Sequence, residues 1–181
     1  PGTAARRIRN LRAPHLGHGF LGRVASPATT TPLPCVSEDA SGLSIPERYF
    51  PDMAYFGCGP ANPKGLRLRS FEAGTETIAD FTPWPEHDHG LGFLNGGIIC
   101  TILDCHSATA MVLEAQRQGL VTGESLLPFV TSGLEIKYLR PTPLTQTSQL
   151  RARLAGMDES AMLVEVSLWW DGKVRAEGTA T

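Results

Sequence analysis

The sequence predicts an α+β fold in which an antiparallel β-sheet wraps around one long α-helix. Three observations carry this reading. The segment Ile98 to Gln118 contains neither Pro nor Gly, and at about 1.5 Å per residue it makes a helix roughly 30 Å long. Two strand-like segments precede it and four follow it, the later ones with apolar residues at every second position. The joints between the last strands are short, as antiparallel neighbours allow and parallel crossovers do not.

With 181 residues, 41% hydrophobic and 19% charged, the chain suits one globular domain with a sizeable core. A net charge of −2 gives no reason to expect nucleic acid or an anionic membrane as partner. We read no apolar run approaching the roughly 18 to 20 residues of a membrane span. Charge is uneven: residues 1 to 37 hold Arg6, Arg7, Arg9, Arg12 and Arg23 and no acid. An acid-free, Arg-bearing, Thr-rich start has the composition of an organelle transit peptide, and equally of a disordered arm. The expected location is therefore the cytoplasm, or an organelle matrix if the arm is a transit peptide.

Taken in order, "SPATTTPLPCVSEDASGLSIPERYFPDM" (26 to 53) is Pro, Ser and Thr with no apolar periodicity, so residues 1 to 53 are expected to form a flexible arm. The domain proper, 54 to 181, opens with a turn-rich loop, "YFGCGPANPKG" (55 to 65). Strands are expected at "LRLRSFE" (66 to 72) and "ETIADFTP" (76 to 83), then a His- and Gly-rich loop, "WPEHDHGLGF" (84 to 93). Asn95 is a good N-cap for the helix, and Gly119 a plausible stop. Beyond it, Leu134, Ile136 and Tyr138 alternate in "VTSGLEIKYLRPTP" (130 to 143). Leu150, Ala152 and Leu154 do so in "SQLRARLAG" (148 to 156), and Met162, Val164, Val166, Leu168 and Trp170 in "AMLVEVSLWW" (161 to 170). "KVRAEGTAT" (173 to 181) repeats the pattern weakly after a hairpin turn at Asp171-Gly172.

One residue breaks the helix's logic. Asp104 sits near its middle with no basic residue nearby in sequence, and an unpaired acid in an apolar setting costs several kcal/mol or shifts its pKa upward. At 100° per residue it shares a face with Gly97, Cys100, Thr101, Ala108 and Met111, whereas Ile98, Ile99, Ile102 and Leu113 read as core. The small stripe leaves room for something to approach the acid; an Asp bonded to a Ser or Thr of a neighbouring strand is the simpler structural alternative. Asn95-Gly96-Gly97 starts the same helix two turns earlier. Bare amides at a helix N-terminus attract negative charge and can stabilise an oxyanion, a contribution of roughly 3 to 4 kcal/mol. A carboxylate and an oxyanion hole on one helix are the minimum for acyl transfer or hydrolysis.

Other signals are weaker. Cys35, Cys58, Cys100 and Cys105 lack CxxC spacing and read as free thiols. "HDH" (87 to 89) offers too few ligands for a metal site, so no metal and no cofactor are expected. His106 reads as a satisfied core histidine.

Three stretches, "FGCGPANPKGLRLRSF", "PEHDHGLGFLNGGIICTILDCHSA" and "VTSGLEIKYLRPTPL", in that order, resemble the hotdog-fold acyl-CoA thioesterases of the phenylacetate-degradation (PaaI-like) type. The likeness covers about residues 55 to 181. It implies a hotdog fold, an acyl-CoA substrate and self-association as a dimer or tetramer, with active sites between protomers. It makes Asp104 the catalytic acid, Gly96 the amide that polarises the thioester carbonyl, and Thr131 the hydroxyl that positions the water or the acid. His89, a further catalytic candidate, falls where relatives often carry an Asn that contacts the carbonyl or the water, and Asn95 where they usually carry a His, a position from which Asn can still cap the helix and donate a hydrogen bond. Since His89 titrates near neutrality, activity is expected to vary with pH between about 5 and 8. Thr131 is out of phase with Leu134, Ile136 and Tyr138, which places it across the sheet unless Gly133 marks a bulge. Arg140 is a candidate for a coenzyme A phosphate, and Trp84, Phe93, Gly97, Cys100, Thr101 and Met111 for the substrate pocket. The function expected is acyl-CoA thioester hydrolysis. The alternatives are a non-catalytic acyl-CoA or lipid-binding hotdog protein and, less well matched in motif, a hotdog dehydratase or hydratase.

Overall fold

A reciprocal cap lies at the start of the first helix: Ser44 Oγ accepts the Glu47 N–H, and the Glu47 carboxylate accepts the Ser44 N–H at 2.7 Å. This starts α1, Ile45–Tyr49, with Pro46 in its first turn. The computed structural model describes residues 42–120 and 130–181. Ile45 is fully buried and Phe50 nearly so, and α1 lies against the central helix and the first strand. Ser44, Ile45, Pro46 and Phe50 are buried, within the stretch that the sequence reading places in a flexible arm. Five residues are too few to show a helical period, and the cap was the legible signal. The remainder of the expected arm lies outside the described residues.

The strands β1 (Ser70–Ala73) and β2 (Glu76–Phe81) form a hairpin turning at Gly74, whose φ is +65°. The expected strand at 66 to 72 is thus shorter. Leu66 and Leu68 are buried, but their N–H groups bond to the Phe56 and Gly57 carbonyls of the preceding loop. A 3₁₀ turn, Pro85–His87, leads into α2, Gly96–Arg117. Asn95 caps α2, its Oδ1 accepting the Gly97 N–H at 2.7 Å. At the other end Gly119 takes φ +68°, and the Gly119 and Leu120 N–H groups return to the Gln116 and Ala115 carbonyls. That is the glycine-terminated stop the sequence suggests.

Four more strands follow, β3 (Leu134–Tyr138), β4 (Ser148–Met157), β5 (Met162–Trp170) and β6 (Lys173–Ala180). All pairings are antiparallel, in the order β1-β2-β4-β5-β6-β3. The hairpin between β5 and β6 turns at Asp171 and Gly172, φ +53° and +65°, the left-handed pair that matches strand twist. Leu150, Ala152, Val164, Val166 and Leu168 form the predicted inner face and are buried under α2. The weak alternation of β6 has a cause. A register shift at Leu168/Trp169 puts Arg175 and Ala176 both in buried positions, and the Arg175 guanidinium lies 4.4 Å from the Trp170 ring centre. At Gly178 an added Cβ would meet the Glu135 carbonyl oxygen at 1.9 Å, so β3 pairs this closely only with glycine there.

α2 buries Ile99, Ile102, Leu103, Ala110, Met111 and Leu113. By length and composition it could cross a membrane, which corrects our reading that no stretch of the chain could. Half of that stretch is buried inside the protein, the position of a core helix. Gly97 is exposed and Cys100, Thr101, Asp104 and Ala108 are half-buried, as the small stripe requires. Met111 departs from it and joins the core. α1 contacts the helix, and the loop carrying Gly57 and Cys58 rests on Thr101 and Cys105. His106 is fully buried. Its Nε2–H donates to the Thr77 carbonyl at 3.1 Å and its Nδ1 accepts from Ser70 Oγ at 2.8 Å. Burial lowers its pKa to about 4, so the ring is neutral and satisfied.

Candidate active site at the start of the central helix

Two turns into α2, Asp104 stands half-buried on the small face of the helix. Its partner comes from the other end of the fold: Thr131 Oγ1 donates to Asp104 Oδ1 at 2.8 Å. Thr131 lies before β3 and not within it, since the strand begins at Leu134. The phase argument against Thr131 therefore does not apply. The following residues are pinned instead, with Ser132 N–H donating to the Thr181 carbonyl at 2.7 Å and Thr181 N–H to the Gly133 carbonyl at 2.9 Å. The donor is a neutral hydroxyl, and no ion-pair partner of Asp104 lies among the described residues.

At the helix start, the Gly96 N–H has no acceptor within the helix, as for any first-turn residue. The Gly97 N–H is less bare than the sequence suggests, because the Asn95 side chain occupies it. Asn95 is itself anchored, its N–H donating to the His87 carbonyl at 2.9 Å, while Leu94 N–H donates to the Thr142 carbonyl at 2.8 Å. Tyr138, at the end of β3, completes this corner. Its hydroxyl donates to the Gly96 carbonyl at 2.8 Å, and its ring lies 3.5 Å from where a Gly96 Cβ would be. Burial, and then the Cys100 thiol beside it, push the phenol above its ordinary pKa, so it stays a donor. We had read Tyr138 only as part of an alternating strand. The phase that set it with Leu134 and Ile136 on the helix-facing side was the available signal.

The remaining candidates divide. Cys100 and Thr101 lie between the helix start and Asp104, although the Thr101 hydroxyl is committed to the Gly97 carbonyl at 2.9 Å. Trp84 and Phe93 are both partly exposed, at 40% and 37%. Trp84 packs its ring 3.8 Å from that of His87, a buried residue also stacked on Phe81 at 5.6 Å. His89 is exposed. Its Nδ1 accepts the Leu91 N–H at 3.2 Å and its ring meets Phe93 edge-on at 5.7 Å. Among the described residues its contacts stay within its own loop. Arg140 is also exposed, one guanidinium nitrogen donating to the Val174 carbonyl at 2.8 Å. The structure thus joins Thr131 to Asp104 and, two turns earlier on the same helix, Tyr138 to Gly96, and leaves His89 and Arg140 at their own local partners.

No protein-family model and no curated protein matches the chain. Solved structures do. A thioesterase superfamily protein superposes with a TM-score of 0.54 at 21% identity, over 67% of this chain and 58% of that one. The chain thus spans less than two thirds of that protein. Zebra fish thioesterase superfamily member 2 gives a TM-score of 0.54 at 19% identity, covering 66% of this chain and 86% of its own. The Escherichia coli PaaI protein of the phenylacetic acid degradation operon gives 0.51 at 17% identity, over 64% and 81%.

A six-stranded antiparallel sheet around one long helix, with this likeness, makes the chain a hotdog-fold protein. What it shares with these structures is the fold.

Proposed function

We propose that the protein hydrolyses acyl-CoA thioesters to a free acid and coenzyme A. The observation that carries the reading is the Thr131 to Asp104 hydrogen bond, which fixes a half-buried carboxylate on the same helix whose first amide lacks an acceptor. In this reading the thioester carbonyl oxygen accepts the Gly96 N–H, where the helix dipole stabilises the developing oxyanion. Asp104 attacks the carbonyl carbon or deprotonates the water that does, and Thr131 holds one carboxylate oxygen so that the chemistry falls to the other. Asn95 and Tyr138 hold the helix start from either side. The names of the structural neighbours support thioester hydrolysis as the reaction class.

The same proposal includes self-association. β3 is an edge strand, and Tyr138 at its end and Leu139 just beyond it are exposed at 55% and 44%. A paired or covered edge is the usual outcome for such a strand. A pocket completed by a second copy fits the openness of the Asp104 face. The competing reading, an acyl-CoA or lipid-binding protein without turnover, is favoured by Asn95, whose side chain is spent on capping.

The test is thiol release from a panel of short, medium, long and aromatic acyl-CoAs, run alongside equilibrium binding of the same ligands. Turnover of at least one member is the expected result, and the best substrate names the acyl class. Binding without release of thiol would replace hydrolysis with the binding-protein reading.

A further inference from the structure

Cys58 and Cys105 come from distant parts of the sequence and meet beside Asp104. Cys58 lies in the turn-rich loop and is buried, and Cys105 is half-buried on α2. The approach depends on Gly57: an added Cβ there would fall 2.3 Å from Cys105 Sγ and 3.1 Å from its Cβ. Only a residue without a side chain lets the loop backbone rest on that sulfur. Cys58 directly follows Gly57, and its thiol lies in contact with that of Cys105. Both thiols are free.

We propose that Cys58 and Cys105 form an oxidisable dithiol pair, a modification site at which peroxide closes a disulfide between the loop and the central helix. The surroundings divide the roles. The Cys58 thiol, donating toward Cys105, holds the Cys105 pKa below its ordinary value, against burial and the nearby Asp104 charge, and the backbone N–H groups of Gly57 and Cys58 help. The same contact, with burial, raises that of Cys58. Cys105 is therefore the thiolate that reacts first. It attacks one oxygen of hydrogen peroxide, giving a sulfenic acid and hydroxide. The Cys58 sulfur then displaces the sulfenic oxygen, which leaves as water once the Cys58 proton is taken up. Two thiols and one peroxide become one disulfide and two waters.

The site does not depend on thioester hydrolysis, and its test reads mass, not activity. The full chain is reduced, treated natively with hydrogen peroxide, capped with N-ethylmaleimide and digested without reductant. The expected result is a peptide pair joined through Cys58 and Cys105, the intact chain lighter by two hydrogens, and reversal by dithiothreitol. In Cys58→Ser the resolving thiol is gone, so Cys105 should be trapped by dimedone, whereas Cys100→Ser should still form the link. A wild-type chain that stays reduced, or whose disulfide uses Cys35 or Cys100 instead, overturns the assignment.

Discussion

Asp104 and Thr131 are joined by one hydrogen bond between residues 27 apart in sequence, and their roles can be separated by substitution. A hydrogen bond to a charged group contributes about 1.5 to 3 kcal/mol, which corresponds to about tenfold or more in rate. Thr131→Val should therefore lower kcat at least about tenfold while KM changes little, measured by thiol release on the best acyl-CoA. An unchanged kcat would remove Thr131 from the site. Asp104 was legible because a mid-helix acid without a base is locally unfavourable. Thr131 came from family resemblance, while strand phase argued against it, because the start of β3 cannot be located from alternation alone. Strand phase grouped Tyr138 with Leu134 and Ile136, but the partner of its hydroxyl, a backbone carbonyl, has no sequence pattern.

His106 gives a second prediction at this scale. Its pKa is lowered from 6.5 to about 4 by burial, so between those values the unfolded chain binds the proton and the folded one does not. The contribution is present above pH 6.5, where both states are neutral, and is lost as pH falls toward 4. The loss is up to about 3 kcal/mol by pH 4. The urea midpoint should fall across that window in the wild type and fall less in His106→Asn. Equal slopes would show that other groups set the acid sensitivity.

At the scale of elements, α2 is held by its buried face. Leu103 is fully buried against the sheet, and Leu103→Ala should cost about 2 to 5 kcal/mol, read as a lower denaturant midpoint. Gly178→Ala should instead act on one edge, since its methyl would collide with the Glu135 carbonyl. Amide exchange in β3 should accelerate while β4 and β5 stay protected. The long helix and the strands after it were readable because their periods run over enough residues to be unambiguous. α1 and the start of β1 were not. The first is too short for a period, and in the second Leu66 and Leu68 pair with loop backbone while looking like a strand.

At the scale of the molecule, the sheet closes around the helix on one side only, leaving β1 and β3 as edges and the small face of α2 half-exposed. The composition and strand order are enough to suggest the architecture. They do not show how the segment from Gly42 onward adds α1 and a loop that rests on Thr101 and Cys105, beside the half-exposed stretch between Gly97 and Asp104. The charge, the first-turn amide and the paired hydroxyl all lie along that stretch. The central claim is that this face performs thioester hydrolysis through Asp104. The measurement that tests it most directly compares wild type with Asp104→Asn, following thiol release and acyl-CoA binding on the same preparations. Loss of the carboxylate should lower kcat by about two orders of magnitude or more with binding retained. Turnover that survives the substitution undiminished would contradict the account.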